Sequence, residues 1–336
     1  MKKLNLFSLL VAVVALLATS CSIDNFDYAQ SGEECVVTLS AQVPSAVGSR
    51  ADNFPGKAAE VTKLSYWVYK VEGSTWIHLP KLSGVKEVVN SVATIPLTLM
   101  KSLEYKVVLW ADAFGDGANS PYSYDTTTCK LTMDFSKITA NNEQLDAFYG
   151  VKGLETTTVN PQIDLTRPFA QLNIGTSDLD KAADHGVTIS TTGIKLECAN
   201  ILNLKTGEVS GEHVREYTPT AIPVGYQFPY YSDHDLISLN YILVGTESVT
   251  TAVTLNYTMD ADDYTLSVNA PLQRNRRTNV YGGMLIGKNS LLSVSIRDSF
   301  HDNSNNVQEG WDPKEDPEEI VPPGGSGGSD PGEDPF

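Results

Sequence analysis

The chain has 336 residues, 41% of them hydrophobic, and a formal charge of −17 from 24 basic and 41 acidic side chains. No basic stripe interrupts that acidity, which argues against a nucleic-acid partner. The length allows two domains of ordinary size, and after the first twenty residues no apolar stretch approaches a membrane span.

Residues 1–20 have the layout of a secretory signal. Lys2 and Lys3 precede an apolar run from Leu4 to Ala18, and Ala18, Thr19 and Ser20 bring small residues up to Cys21. This ending resembles a bacterial lipobox, which implies that Cys21 becomes the first residue and that its thiol carries a diacylglycerol. Two or three acyl chains, at roughly 0.8 kcal/mol per buried methylene, hold a soluble domain on a membrane. The alternative is ordinary signal cleavage beside an incidental cysteine. Asp24 and Asp27 resemble the acidic surface-export signal of some Gram-negative anaerobes. Residues 21–32 are then a lipid-anchored linker.

From residue 33 to 300 the pattern is almost entirely period two. Cys35, Val37, Leu39, Ala41 and Val43 alternate with polar neighbours, as in a half-buried strand. Further strands are predicted over 64–71, 104–111, 129–135, 169–174, 187–196, 236–244, 251–259 and 264–268. Residues 278–287 and 291–297 read as a closing pair. Asp260-Ala261-Asp262-Asp263 has the composition of a hairpin loop. Helical signals are limited to 178–184, and 142–148 is ambiguous. Many short strands with few helices predict an all-β chain of two tandem antiparallel β-sandwiches, over 33–163 and 164–300. The junction is placed near Pro168, which imposes an extended entry into the next strand.

Beyond residue 300 the composition changes. Residues 309–336 hold nine acids and one lysine among repeated prolines and a Gly-Ser run, so 301–336 is expected to be a disordered acidic tail. Cys35, Cys129 and Cys198 lack C-x-x-C spacing; mainly buried thiols are expected, with room for one incidental bridge.

No local motif of the chain points to an enzyme; the rival reading is a hydrolase on a β-sandwich scaffold, whose carboxylates would converge from distant strands and leave no local motif. Gly324-Gly325-Ser326-Gly327-Gly328 matches a nucleophile elbow in letters only, because that motif works as a strained strand-to-helix turn. The five histidines show no paired ligand spacing. Asp112 to Asn119 sets oxygen ligands in a Gly-rich loop but lacks EF-hand spacing, so a plain turn is favoured over a calcium site. No metal and no cofactor are expected. Tyr226, Phe228, Tyr230 and Tyr231 form the densest aromatic group and are candidate ligand contacts; the competing reading is that they cover the open end of the second domain.

The lipobox, the two sandwiches, the Arg167-Pro168-Phe169-Ala170-Gln171-Leu172-Asn173-Ile174 strand and the segment from Pro271 to Gly282, with its Asn275-Arg276-Arg277-Thr278-Asn279-Val280-Tyr281, together resemble the fimbrillin-like lipoproteins of Gram-negative gut and oral anaerobes. The resemblance covers roughly residues 21–300. It implies transthyretin-like domains and a trypsin-like cut after an arginine in the first inter-strand loop. The cut frees the lipidated first strand and opens a groove for a strand of another subunit. By position the cut falls between Arg50 and Ala51, in the small-residue loop after the first strand. Asp125-Thr126-Thr127 resembles the short O-glycosylation acceptor of these bacteria. The tail departs from the pattern, since its prolines and acids make it a poor strand to donate. The expectation is a non-enzymatic outer-membrane lipoprotein, surface-exposed and part of a fimbrium, serving as a tip or accessory subunit or an adhesin. Its partners would be the membrane through its lipid, other fimbrial subunits, and a host glycan or protein. The alternative is a glycan-binding outer-membrane lipoprotein of a nutrient-uptake system.

Overall fold

The computed structural model describes residues 33–44, 54–115, 117–229, 231–286, 292–297 and 307–308. Cys21, Arg50, Ala51 and Tyr230 lie outside these residues, as do the expected leader and linker and all of the expected tail except 307–308.

The strands up to the expected junction are β1 (Glu34–Gln42), β2 (Lys63–Glu72), β3 (Thr75–His78), β4 (Gly84–Glu87), β5 (Val92–Met100), β6 (Tyr105–Asp112), β7 (Tyr122–Asp125), β8 (Lys130–Met133), β9 (Phe148–Leu154) and β10 (Gln162–Asp164). After Arg167-Pro168 come β11 (Phe169–Thr176), helix α1 (Leu179–Asp184), β12 (Ile189–Cys198), β13 (Ile201–Asn203), β14 (Val209–Ser210), β15 (His213–Glu216), β16 (Thr220–Ala221) and β17 (Asp235–Leu243). The chain continues through β18 (Val249–Met259), β19 (Asp262–Leu272), β20 (Arg277–Gly282), β21 (Leu292–Arg297) and β22 (Val307–Gln308). The fold is all-β, built from mainly antiparallel sheets stacked as sandwiches, as the period-two pattern predicts.

The first sandwich packs the sheet β10-β1-β5 on the sheet β3-β2-β6-β9, with β4 beside β2. Its core takes Val37, Leu39 and Ala41 from β1, Ile95, Leu97 and Leu99 from β5, and Val107, Leu109 and Ala111 from β6. The second sandwich packs β17-β11-β20-β21-β22 on β15-β12-β18-β19, with β16 beside β12. A fifth sheet, β14-β13-β8-β7, takes two strands from each side of Pro168. It lies against the far face of the β2-β6 layer: Trp110 meets Tyr122 at 5.0 Å, and Trp67 stacks on Tyr124 at 3.9 Å. Strand β6 is therefore buried on both faces, with Val108 and Trp110 in the second core and Val107 and Leu109 in the first. That accounts for its unbroken apolar run, since a strand covered on both sides has no solvent face to alternate with.

The two sandwiches repeat one wiring. Strand β1 lies between antiparallel β5 and parallel β10, and β11 lies between antiparallel β17 and parallel β20. The period-two pattern does not predict strand β5, because Pro96 interrupts it. Opposite Pro96, Thr38 turns its N–H away to the Val159 carbonyl at 2.8 Å, so this pair needs no N–H from proline.

Three boundaries also shift. Cys129, expected in a strand, has a φ of 56° in the turn before β8. Residues 142–148 form one 3₁₀ turn, Glu143–Leu145, before β9 begins. Strand β20 ends at Gly282, ahead of the expected 287, because the buried Asp178 carboxylate accepts the N–H groups of Met284, Leu285 and Ile286. The hairpin between β18 and β19 turns at Asp260 and Ala261, with φ of 52° and 72°, as a two-residue primed turn requires.

Candidate functional site: the sealing strand and the clamp behind it

Strand β1 is the first described element and closes the first core. It pairs with β5 over nine residues, from Glu34 opposite Met100 to Gln42 opposite Val92. Its other edge pairs with β10 over Ser40 to Gln42. Val37, Leu39 and Ala41 are fully withdrawn from solvent and Val43 is 2% exposed, while Val36 on the opposite face is 60% exposed. Exposing the buried side chains costs on the order of 5–10 kcal/mol. The chain then enters the 45–53 segment that contains Arg50 and Ala51, outside the described residues, and returns at Phe54.

The returning segment is gripped through its backbone. Arg277 Nη2 donates to the Pro55 carbonyl at 2.7 Å, and Arg167 Nη2 donates to the Gly56 carbonyl at 3.0 Å. The Gly56 N–H donates to Glu143 Oε2 at 2.9 Å. Behind these contacts Arg167 is paired with Asp146 through Nε to Oδ1 at 2.5 Å and Nη2 to Oδ2 at 2.7 Å, and its guanidinium lies 4.5 Å from the Phe148 ring centroid. Arg277 Nε donates to Gln171 Oε1 at 2.7 Å, Gln171 Nε2 to the Tyr241 hydroxyl at 3.1 Å, and that hydroxyl to Glu143 Oε1 at 2.9 Å. The registers of β11, β17 and β20 place Gln171, Tyr241 and Arg277 on one face of their sheet. The network is continuous from Asp146 to Arg277.

Its electrostatics follow from burial. Removal from water, with the Asp146 carboxylate nearby, pushes the Glu143 carboxyl up to about 7. Burial also raises the Tyr241 phenol well above its usual range, which keeps it a donor. Burial works against the Arg167 charge, but Asp146 outweighs it and holds the pKa above normal. Arg167 and Arg277 are letters of the two motifs that carried the resemblance. Glu143, Asp146 and the strap at Pro55-Gly56 were not singled out from the sequence. An arginine opening an apolar strand was the available signal, because a buried guanidinium requires a carboxylate.

Of the aromatic group, Phe228 and Tyr231 lie over the face of the β11 sheet that carries Gly175 and Tyr281. Phe228 is 2% exposed, and a Cβ on Gly175 would stand 2.5 Å from its ring, so only glycine fits beneath it. Tyr231 stacks on Tyr281 at 4.0 Å and donates to Ser295 Oγ at 3.2 Å. Tyr226 and Tyr231 are half-buried.

The Asp112 carboxylate, 1% exposed, accepts from Trp110 Nε1 at 2.8 Å and from the N–H groups of Phe114 and Gly115 at 2.9 and 2.6 Å. Its oxygens thus serve the turn. Among the described residues no group of three His, Cys, Asp or Glu is placed to hold a metal ion. Asp125 accepts from Thr127 N at 2.8 Å and from the Thr128 hydroxyl at 2.7 Å in an exposed turn. Cys129 and Cys198 are buried free thiols, and Cys35 is a half-buried one. Among the described residues no helix is long and apolar enough to cross a membrane.

No curated protein matches the sequence. Among solved structures, the chain is similar to a candidate cell adhesion protein from Bacteroides ovatus, at 11% identity and a TM-score of 0.49, over 82% of this chain and 100% of that one. It is similar to the tip fimbrial protein Mfa3 from Porphyromonas gingivalis with a C-terminal truncation, at 11% identity and a TM-score of 0.42, over 79% and 99%. It is also similar to a candidate polysaccharide-binding protein from Bacteroides thetaiotaomicron, at 15% identity and a TM-score of 0.42, over 77% and 95%. The model of a family of unknown function, DUF6562, matches residues 29–313, and the chain belongs to that family.

Proposed function

We propose that this chain is a non-enzymatic surface lipoprotein of the fimbrial or adhesin type, anchored in the outer membrane through Cys21. In this reading a cut between Arg50 and Ala51 makes β1 exchangeable, and a strand of another subunit replaces it in the 33–163 half. The observation that carries the reading is β1 itself, the first described strand, whose alternate side chains seal a core and which leads into the 45–53 segment that holds Arg50. Its loss would expose that core and leave β5 and β10 without their partner, a template for strand addition. The clamp on Pro55-Gly56 supports the same reading, since it holds the chain on the far side of the 45–53 segment independently of β1. The proline-rich acidic tail fits a tip or accessory position better than a stalk subunit.

Limited trypsin digestion tests the proposal. Cleavage is expected after Arg50 before most other basic sites, followed by slow uptake of a labelled peptide spanning residues 33–43. Arg50→Ala is expected to block both while leaving the melting temperature unchanged. Resistance of Arg50 to the protease, or a cut chain that takes up no peptide, overturns the proposal. A Cys21→Ser chain that still fractionates with membranes removes the anchor.

A further inference from the structure

A cleft of about 570 Å³ opens where β9 and β10 meet the turn between β13 and β14, within the ~300–1,000 Å³ range of small-ligand sites. It is distinct from the aromatic group, and its β10 wall adjoins the strand-exchange edge, since Gln162 and Asp164 pair with Ser40 and Gln42 of β1. Lys152, Gln162 and Asp164 line one side, and Lys205 and Thr206 line the other. The walls are held in place. A Cβ on Gly150 would stand 2.7 Å from Ile163 Cδ1, so β9 and β10 approach closely only because that position has no side chain. On the other side, Asn203 Oδ1 accepts from the N–H groups of Lys205 and Thr206 at 3.0 and 3.3 Å. Arg274 ties the turn to β9 by donating to the Gly207 carbonyl at 2.7 Å and to the Tyr149 hydroxyl at 3.1 Å. The Lys205 ammonium rests over the Trp76 ring, 4.4 Å from its centroid, which limits the arc its head can sweep.

The charge here runs against the rest of the molecule. On a chain of net −17, the cleft sets Lys152 and Lys205 against Asp164, with Glu208 next to the turn and engaged by the Thr206 hydroxyl at 3.3 Å. None of Lys152, Lys205 and Asp164 forms an ion pair among the described residues. The lining pairs ammonium, amide and hydroxyl donors with carboxylate and amide acceptors, and few side chains could serve as the apolar pockets that peptide recognition requires. Such a surface suits a ligand rich in hydroxyls that also carries negative charge. We propose that this cleft binds an acidic oligosaccharide, with Lys152 and Lys205 on its carboxylate or sulfate groups and with Gln162, Asp164 and Thr206 on its hydroxyls. The proposal names a ligand class for the adhesin reading and depends on that reading only for its biological setting. Binding is measured on the uncut chain, so it can fail or stand apart from strand exchange.

Titration calorimetry on the intact protein with tetragalacturonate, a sulfated tetrasaccharide, neutral maltotetraose and a tetra-aspartate peptide provides the test. Binding of one or both acidic saccharides is expected, weakening as salt is raised, and the two probes distinguish carboxylate from sulfate preference. Lys152→Gln and Lys205→Gln are each expected to weaken binding roughly three- to fivefold at unchanged melting temperature. Asp164→Asn is expected to strengthen it by up to about fivefold through loss of repulsion, a gain that structural damage does not produce. Failure of both acidic saccharides to bind overturns the proposal, as does binding indifferent to all three substitutions. Equal affinity for maltotetraose removes the anionic requirement, and equal affinity for the peptide makes the cleft a peptide site; either result also overturns it.

Discussion

Arg167 holds Asp146 by two hydrogen bonds of 2.5 and 2.7 Å, with both side chains 3% exposed or less. The pair sits at the base of the clamp on Pro55-Gly56, so breaking it strands a charge in a low-dielectric site. Asp146→Ala or Arg167→Ala is expected to cost about 3–5 kcal/mol in urea unfolding. The double replacement Arg167→Met with Asp146→Leu is expected to cost clearly less than the sum of the single changes, because neither charge is left alone. Strict additivity would mean that the pair is not coupled.

Glu143 gives the clamp a pH dependence. Its folded value of about 7 lies above the ordinary 4.5, so the native chain holds this proton more tightly than the unfolded chain. The stability it contributes is therefore fully present below about 4.5 and is lost as the pH rises to about 7. Glu143→Gln cannot ionise, so the stability of the variant relative to the parent should rise between pH 5 and pH 8. Denaturation curves at the two pH values measure that difference, and a difference constant with pH would show that Glu143 titrates as an ordinary surface acid.

Gly175 and Phe228 make a packing test. With a Cβ only 2.5 Å from the ring, Gly175→Ala is expected to destabilise by about 1–3 kcal/mol through overpacking. Phe228→Leu, which shortens the side chain above it, should recover part of that loss in the double variant although it is destabilising alone. A Gly175→Ala chain with parental stability would mean that the 226–231 segment lifts away without cost.

How much of this was legible in the sequence depended on distance along the chain. The alternation of Cys35 to Val43 and the hairpin after Met259 are local patterns; the strand forms where the residues predict, and the hairpin forms with a tighter turn than the expected 260–263 loop, since Asp262 and Asp263 already pair in β19. Strand β5 was hidden by Pro96, which is tolerated only because Thr38 points its N–H the other way, a fact of pairing that no local window contains. Arg167 and Arg277 stood out as motif letters, but their acceptors at Gly56 and Pro55 are 111 and 222 residues away. The Lys152–Lys205 cleft was illegible for the same reason, since its two walls come from opposite sides of Pro168.

The two faces of β1 carry the last prediction. Leu39 is fully buried between the sheets of the first sandwich, whereas Val36, three residues earlier on the same strand, is 60% exposed. Their alanine variants remove comparable apolar groups from one backbone element with one set of hydrogen bonds, so any difference measures core sealing alone. Leu39→Ala should cost about 2–5 kcal/mol, as a lost methyl cluster plus the cavity it leaves. Val36→Ala should stay within about 0.5 kcal/mol of the parent. If β1 is exchangeable after a cut, the same asymmetry should appear in kinetics. A Leu39→Ala strand, with weaker native contacts, should leave the cut chain faster, while Val36→Ala should leave at the parental rate. Equal effects of the two substitutions on stability would show that β1 is held by its backbone ladder and not by the core it covers.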